Sequence, residues 1–116
     1  MSQWLDKRKP IRIIGIDPGS RISGVACIEA KKFPPVNPQD FKVIDVLTIS
    51  IRKVEKTTDR LGYIHSAIFE VLSQYMPKYC VLEKCFLGKN PQSALSLGQT
   101  RGAIIAAIYR HKLEFD

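Results

Sequence analysis

The sequence predicts an α/β fold: a mixed sheet whose first three strands are antiparallel and whose later strands are added in parallel by helical crossovers. Three observations predict it. Two β-rich runs, residues 11–17 and 22–29, flank the turn-forming Pro18-Gly19-Ser20-Arg21. The apolar period then changes from 2 to about 3.6 over residues 58–75, where Leu61, Ile64, Ile68, Leu72 and Tyr75 recur. A short apolar run at 79–83 and a second helical stretch follow, as crossover units require.

The elements can be justified in order. Residues 1–10 are polar and basic, end in Pro10, and read as a flexible lead. Residues 11–116 then form one domain. The first two runs make an antiparallel hairpin. Residues 31–40 hold three prolines and an asparagine and read as a loop. Residues 41–53, rich in Val, Ile and Thr, give a third strand with room for a bend. The helix over 58–75 stops before Pro77. Tyr79-Cys80-Val81-Leu82-Glu83 is a short buried strand, parallel to the first because a long helix separates them. Asn90-Pro91 opens the second helix, with Asn90 as N-cap and Pro91 in the first helical position, and it runs to about His111. Residues 113–116 begin a fifth strand.

Composition removes several classes. At 45% apolar and 25% charged, the 116 residues suit an ordinary folded domain. No apolar run approaches the roughly 20 residues that span a bilayer, and the N-terminus lacks a signal-peptide pattern. Cys27, Cys80 and Cys85 are odd in number and lack CxxC spacing, so neither a disulfide framework nor a zinc site is expected. They read as reduced thiols of a cytoplasmic protein. The net charge is +7, with 12 basic and 7 acidic side chains in residues 1–60 against 6 and 4 in the remainder. The excess is spread along the chain, which favours a polyanionic partner without locating its site.

Two carboxylates carry the chemistry. Asp17 and Glu83 each end a short apolar strand. An acid there is costly unless something positive answers it. Two brought together by adjacent strands offer oxygen ligands to a hard cation such as Mg²⁺. Asp17 also has other readings: an acid that caps the Pro-Gly turn, or part of a hairpin that cradles the phosphates of ATP. Glu83 sits at the carboxyl end of a strand, where open α/β sheets place their sites, although an exposed acid paired with Lys84 has the same sequence.

The loop after Glu83 is Lys84-Cys85-Phe86-Leu87-Gly88-Lys89. Phe86 either stacks on or wedges into bases, or folds back on the core. The helix N-terminus at Asn90 suits a phosphate. In that helix Ala94, Gly98, Gly102 and Ala106 fall at successive i+4 positions. Glycine costs about 1 kcal/mol in a helix interior, so the row implies a close partner: the sheet beneath or the same helix of a second subunit. Arg101 reaches either phosphate or solvent. His65 and His111 lack partners at metal-ligand spacing and read as structural or surface residues.

Two blocks of this sequence resemble the RuvC family of Holliday-junction resolvases, which have a ribonuclease H-like fold. The first is Ile14-Gly15-Ile16-Asp17-Pro18-Gly19-Ser20-Arg21 with Gly24. The second runs from Leu82-Glu83-Lys84-Cys85-Phe86-Leu87-Gly88-Lys89-Asn90-Pro91 through Gln92-Ser93-Ala94-Leu95-Ser96-Leu97-Gly98-Gln99-Thr100-Arg101-Gly102. The resemblance implies a crossover junction endodeoxyribonuclease of recombination and repair, a homodimer that nicks four-way DNA junctions symmetrically. Asp17 and Glu83 match the first two catalytic acids, and Phe86 matches an aromatic that contacts bases near the junction centre. Lys84, Lys89 and Arg101 fall in segments that face DNA or support the site, and Ala94, Gly98 and Gly102 fall on the implied dimer helix.

The same resemblance implies two Mg²⁺ ions, with Mn²⁺ as the alternative, and a branch-migration helicase as a further partner. Its remaining catalytic acids, a close pair on a C-terminal helix, are expected several tens of residues beyond Asp116, so the domain reads as truncated and its active site as incomplete. Two other readings compete: a junction-binding module that cleaves nothing, and an actin-like ATP-binding lobe suggested by Gly15-Ile16-Asp17 and its turn.

Overall fold

The computed structural model describes residues 10–31, 37–84, 90–111 and 114–115. The flexible lead expected over residues 1–9 lies outside them. Five strands form one sheet in the order β3-β2-β1-β4-β5. They are β1 (Ile11–Asp17), β2 (Ile22–Ala30), β3 (Phe41–Ser50), β4 (Tyr79–Leu82) and β5 (Glu114–Phe115). Helix α1 (Thr57–Tyr75) connects β3 to β4, and α2 (Pro91–Arg110) connects β4 to β5. β1, β2 and β3 pair antiparallel, whereas β4 pairs parallel to β1 and β5 parallel to β4. The mixed sheet expected from the sequence is therefore present, in the ribonuclease H-like arrangement.

Alternation sorts the strands into two faces. Ile14, Ile16, Val25, Cys27, Ile49, Cys80 and Leu82 form one buried set. Helix α1 packs into it through Ile64, Ile68 and Leu72, and α2 through Ile104, Ala107 and Ile108, all fully buried. The opposite face carries Gly15, Ala26, Val46 and Val81; Val46 is 67% exposed and Val81 45% exposed. Both helices thus lie on one side of the sheet.

Irregularities have local causes. Between Cys27 and Ile28 the β2–β3 register shifts, because β3 carries an extra residue, Ile44. The bulge sends Asp45 to the helix side, where it accepts the Tyr75 hydroxyl at the end of α1. The sequence reading ran β3 on to residue 53, but the strand ends at Ser50. The Ile51 amide bonds the Arg21 carbonyl at 2.8 Å, and residues 52–53 turn. Of residues 31–40, read as a loop, the described part includes a 3₁₀ turn at Pro38–Asp40, whose Asp40 carboxylate accepts the Asn37 amide. Helix α1 ends at Met76 in the left-handed region, φ 48°, with its amide bonded to the Leu72 carbonyl. Helix α2 starts as the sequence predicts, with the Asn90 side chain accepting the Gln92 amide at 2.9 Å.

Cys27 and Cys80 are buried free thiols, and burial pushes both upward in pKa, Cys80 from 9.0 to about 12. Below pH 9 the Cys80 thiol keeps its proton in both folded and unfolded chains. Between pH 9 and 12 it ionises only when unfolded, so stability is intact below pH 9 and is lost as pH rises through that window. The decline attributable to Cys80 is at most about 1.4 kcal/mol per pH unit. Denaturant midpoints measured from pH 8 to pH 11 are expected to fall less steeply in Cys80→Ala than in the unaltered chain; parallel curves would refute the assignment.

Candidate active site

Pro18 has no amide hydrogen, so the ladder of β1 ends at Asp17. The turn that follows is tight. A Cβ on Gly19 would lie 1.9 Å from the Ile22 carbonyl oxygen, so only glycine fits there. The hydroxyl of Ser23, itself buried, accepts the Gly19 amide at 3.1 Å. Ser23 therefore caps the turn, which removes that structural duty from Asp17.

On the neighbouring strand Ile16 pairs with Leu82, and the Glu83 amide donates to the Ile16 carbonyl at 2.9 Å. Glu83 accordingly stands beside Asp17, one step beyond the last ladder pair, on strands about 4.8 Å apart. Both acids fall on the helix-free face, in phase with Gly15 and Val81. Both are exposed. Neither carboxylate has a hydrogen bond or ion pair among the described residues, and Glu83 does not pair with Lys84.

The acids border a cleft of about 520 Å³ whose floor is Gly15, Gly24 and Ala26 and whose walls are Val46, Thr48 and Val81. Gly24 lies opposite Asp17 in the ladder, and a Cβ there would come within 3.9 Å of the Asp17 Cβ. The small floor leaves the carboxylates open to a ligand. Its signal in the sequence was small residues on one strand face: Gly24 and Ala26 two apart on β2, and Gly15 two before Asp17 on β1.

The donor set fits a hard divalent cation: two carboxylates side by side, with no soft or nitrogen ligand lining the cleft among the described residues. Among the described residues no group of three or more His, Cys, Asp or Glu is placed to hold a metal, so no third such ligand joins Asp17 and Glu83 there. His111 meets the Ser73 hydroxyl at 3.3 Å and the Phe69 ring, a structural setting as expected.

The other residues singled out from the sequence are dispersed. Lys84 is exposed beside Glu83. Phe86, Lys89 and Cys85 lie outside the described residues. Arg101 is half-buried on α2, lines neither this cleft nor the one beside the α2 N-terminus, and has a buried Nε with no hydrogen-bond partner. Gly98 and Gly102 are exposed, with open space where a Cβ would stand. The sheet is therefore not their partner, and that reading is corrected. Ala94 is half-buried at the margin of the same row.

The family model described as crossover junction endodeoxyribonuclease RuvC matches residues 13–116. The chain belongs to the RuvC family. A RuvC relative from Hydrogenovibrio crunogenus is 40% identical over 98 residues, covering 83% of this chain and 52% of that protein. Another from Polynucleobacter asymbioticus is 40% identical over 104 residues, covering 89% and 57%. Both are described as crossover junction endodeoxyribonuclease RuvC. The structure of T. thermophilus RuvC in complex with Holliday junction substrate superposes with a TM-score of 0.76 at 20% identity, over 90% of this chain and 62% of that one. The chain thus spans a little over half the length of the curated RuvC relatives, and the fold it shares with them contains β1 and β4, the strands that carry Asp17 and Glu83. No helix among the described residues is long and apolar enough to cross a membrane.

If the carboxylates hold a cation, each should be needed for it. Asp17→Asn and Glu83→Gln are each expected to weaken Mn²⁺ binding about tenfold or more, since affinity at oxygen sites follows ligand charge. Both are expected to leave the melting temperature unchanged, as both side chains are exposed and unpaired. Titration followed by electron paramagnetic resonance, with thermal melts alongside, measures both; undiminished affinity in either variant refutes that ligand.

Proposed function

We infer that this chain forms part of a metal-dependent endonuclease that nicks four-way DNA junctions. One observation carries the reading: Asp17 and Glu83 stand unpartnered on adjacent strand ends in a chain of the RuvC family. The RuvC relatives, described as crossover junction endodeoxyribonucleases, and the junction complex of the T. thermophilus protein support it.

On this reading Asp17 and Glu83 hold Mg²⁺ or Mn²⁺ against a scissile phosphate. A cation held by Asp17 and Glu83 would supply an activated water and would offset negative charge at the scissile phosphate. The chain's own residues orient that phosphate: the two strand ends fix the carboxylates, and the small floor leaves the approach open. Lys84 and Lys89 are proposed to meet backbone phosphates, Phe86 to contact bases at the junction centre, and Arg101 to support the site from the helix. A branch-migration helicase and a cytoplasmic setting belong to the same proposal.

A second copy of the chain is the proposed partner for α2. Leu95, Gly98, Gly102 and Tyr109 make one exposed row along it, and Leu95 and Tyr109 are 63% and 67% exposed. Small residues between two large apolar ones let another helix approach closely. Gly98→Glu is expected to convert a dimer to a monomer in sedimentation velocity without altering the melt, because its Cβ enters open space. A monomeric parent chain, or an unaffected dimer, overturns the assignment.

The central test uses an end-labelled four-way junction and a linear duplex of the same length, with Mg²⁺ or with a chelator. Tighter binding to the junction and paired symmetric nicks that leave 5′-phosphate and 3′-hydroxyl ends are expected. Nicking should be lost with the chelator and in Asp17→Asn. Selective binding without nicking would identify a junction-binding module, and binding no tighter than to the duplex would overturn the junction reading altogether.

A further inference from the structure

A second cleft, of about 350 Å³, lies between the β1–β2 turn, the first turn of α1 and the start of α2. Arg21 reaches it from the turn and Arg60 from α1. Ser20, Asn90, Gln92, Ser93 and Ser96 complete its polar wall, and among the described residues no carboxylate lines it. Neither arginine has an ion-pair partner among the described residues.

Every side chain of the wall can donate a hydrogen bond. The Nε of Arg60 donates to the Val54 carbonyl, which fixes the side chain and leaves its two terminal nitrogens for the cleft. The Arg21 carbonyl is held by the Ile51 amide, which anchors the backbone from which its guanidinium extends. The Asn90 carbonyl oxygen is already occupied by the Gln92 amide, so its NH₂ remains to donate. Two guanidinium groups from separate elements, converging on hydroxyls and amides with no acid near, specify an anion with several oxygens. The positive end of α2 adds to this but is not needed for it.

We propose that this cleft seats one phosphate of the DNA backbone, near the phosphate held at the acids. The inference rests on the DNA reading above. Arg21 follows Asp17 by four residues, which limits their Cα separation to about 14 Å. A strand engaged at Asp17 therefore passes within a few nucleotides of the cleft. Arg21 and Arg60 fix the register of that strand, so they position the scissile phosphate without touching it.

The test is the salt dependence of binding, by fluorescence anisotropy, to a four-way junction and to a linear duplex of equal length. Arg21→Gln and Arg60→Gln are each expected to weaken binding. The double variant should reduce the slope of log K against log salt by about 0.9, the value for one phosphate and not two. Arg110→Gln serves as control: it lies 17 residues along α2 from Ser93, about 25 Å away, and stacks on Phe69. Arg110→Gln should leave the slope unchanged.

Because Arg60 also holds the Val54 carbonyl, melts accompany each variant, and Arg21→Gln, at an exposed side chain, stands as evidence by itself. An unchanged slope in Arg21→Gln and the double variant, with junction preference intact, overturns the cleft alone. An equal loss in Arg110→Gln also overturns it. Equal binding to junction and duplex overturns the junction reading, while the slopes on duplex still decide the cleft. Binding to neither overturns both.

Discussion

Everything at the candidate site depends on the register in which β4 lies beside β1. Two amides bracket that pairing: Lys78 donates to the Arg12 carbonyl at one end, and Glu83 to the Ile16 carbonyl at the other, each at 2.9 Å. Between them Cys80 and Leu82 join Ile14 and Ile16 on the buried face. A slip of one residue would turn Val81 and Glu83 into the core and expose Cys80 and Leu82. Burying an unpaired carboxylate is far costlier than losing one ladder bond, so the hydrophobic alternation that builds the sheet also sets the acids side by side. The end of the crossover helix is tied to β1 and β3: Arg12, which also pairs with Glu29 of β2, bonds the Tyr75 carbonyl, and the Tyr75 hydroxyl meets Asp45.

The two faces of the sheet divide the work. The helix side holds a filled core in which Ile14, Ile64, Ile68, Leu72, Ile104 and Ile108 are completely buried. The other side combines the acids with a floor of glycine and alanine and with exposed valines. Core packing on one face makes the strands rigid, and a rigid strand end can hold a carboxylate in place with no hydrogen bond to the side chain itself. The bulge at Ile44 serves the same division. It sends both Ile44 and Asp45 toward the helices, so that Val46 and Thr48 stay in phase with the open face.

Much of this was legible from the residues. The hairpin, both helices, the parallel placement of β4 and the Asn90 cap all follow from local chemistry: turn residues, a change of period, a proline at a helix start. Asp17 and Glu83 were legible because acids end apolar runs there. Other features depend on partners distant in sequence. The end of β3 at Ser50 is set by an amide that reaches back to Arg21, and the bulge by the mismatch between two strands. The direction of the Gly98–Gly102 row depends on how α2 rotates over the core, which the i+4 pattern leaves open because Ile104, Ala107 and Ile108 lie on another face of the same helix. Arg21 and Arg60 are 39 positions apart, and nothing local links them; only the fold makes them neighbours.

The charge distribution unites these features. A chain of net charge +7 places two carboxylates where, on the reading proposed above, a polyanion must approach. Carboxylates alone would repel a phosphate, and arginines paired to them would cancel the site. The tight turn after Asp17 avoids both outcomes: Pro18 and Gly19 reverse the chain at once, and Arg21 then lines a cleft free of acids and pairs with no carboxylate among the described residues. A cation can therefore collect at the acids while the guanidinium groups remain available to phosphate. Asp17, Glu83 and Arg21 are all exposed, so each charge stays hydrated in the free chain and remains available to a bound cation or a bound phosphate.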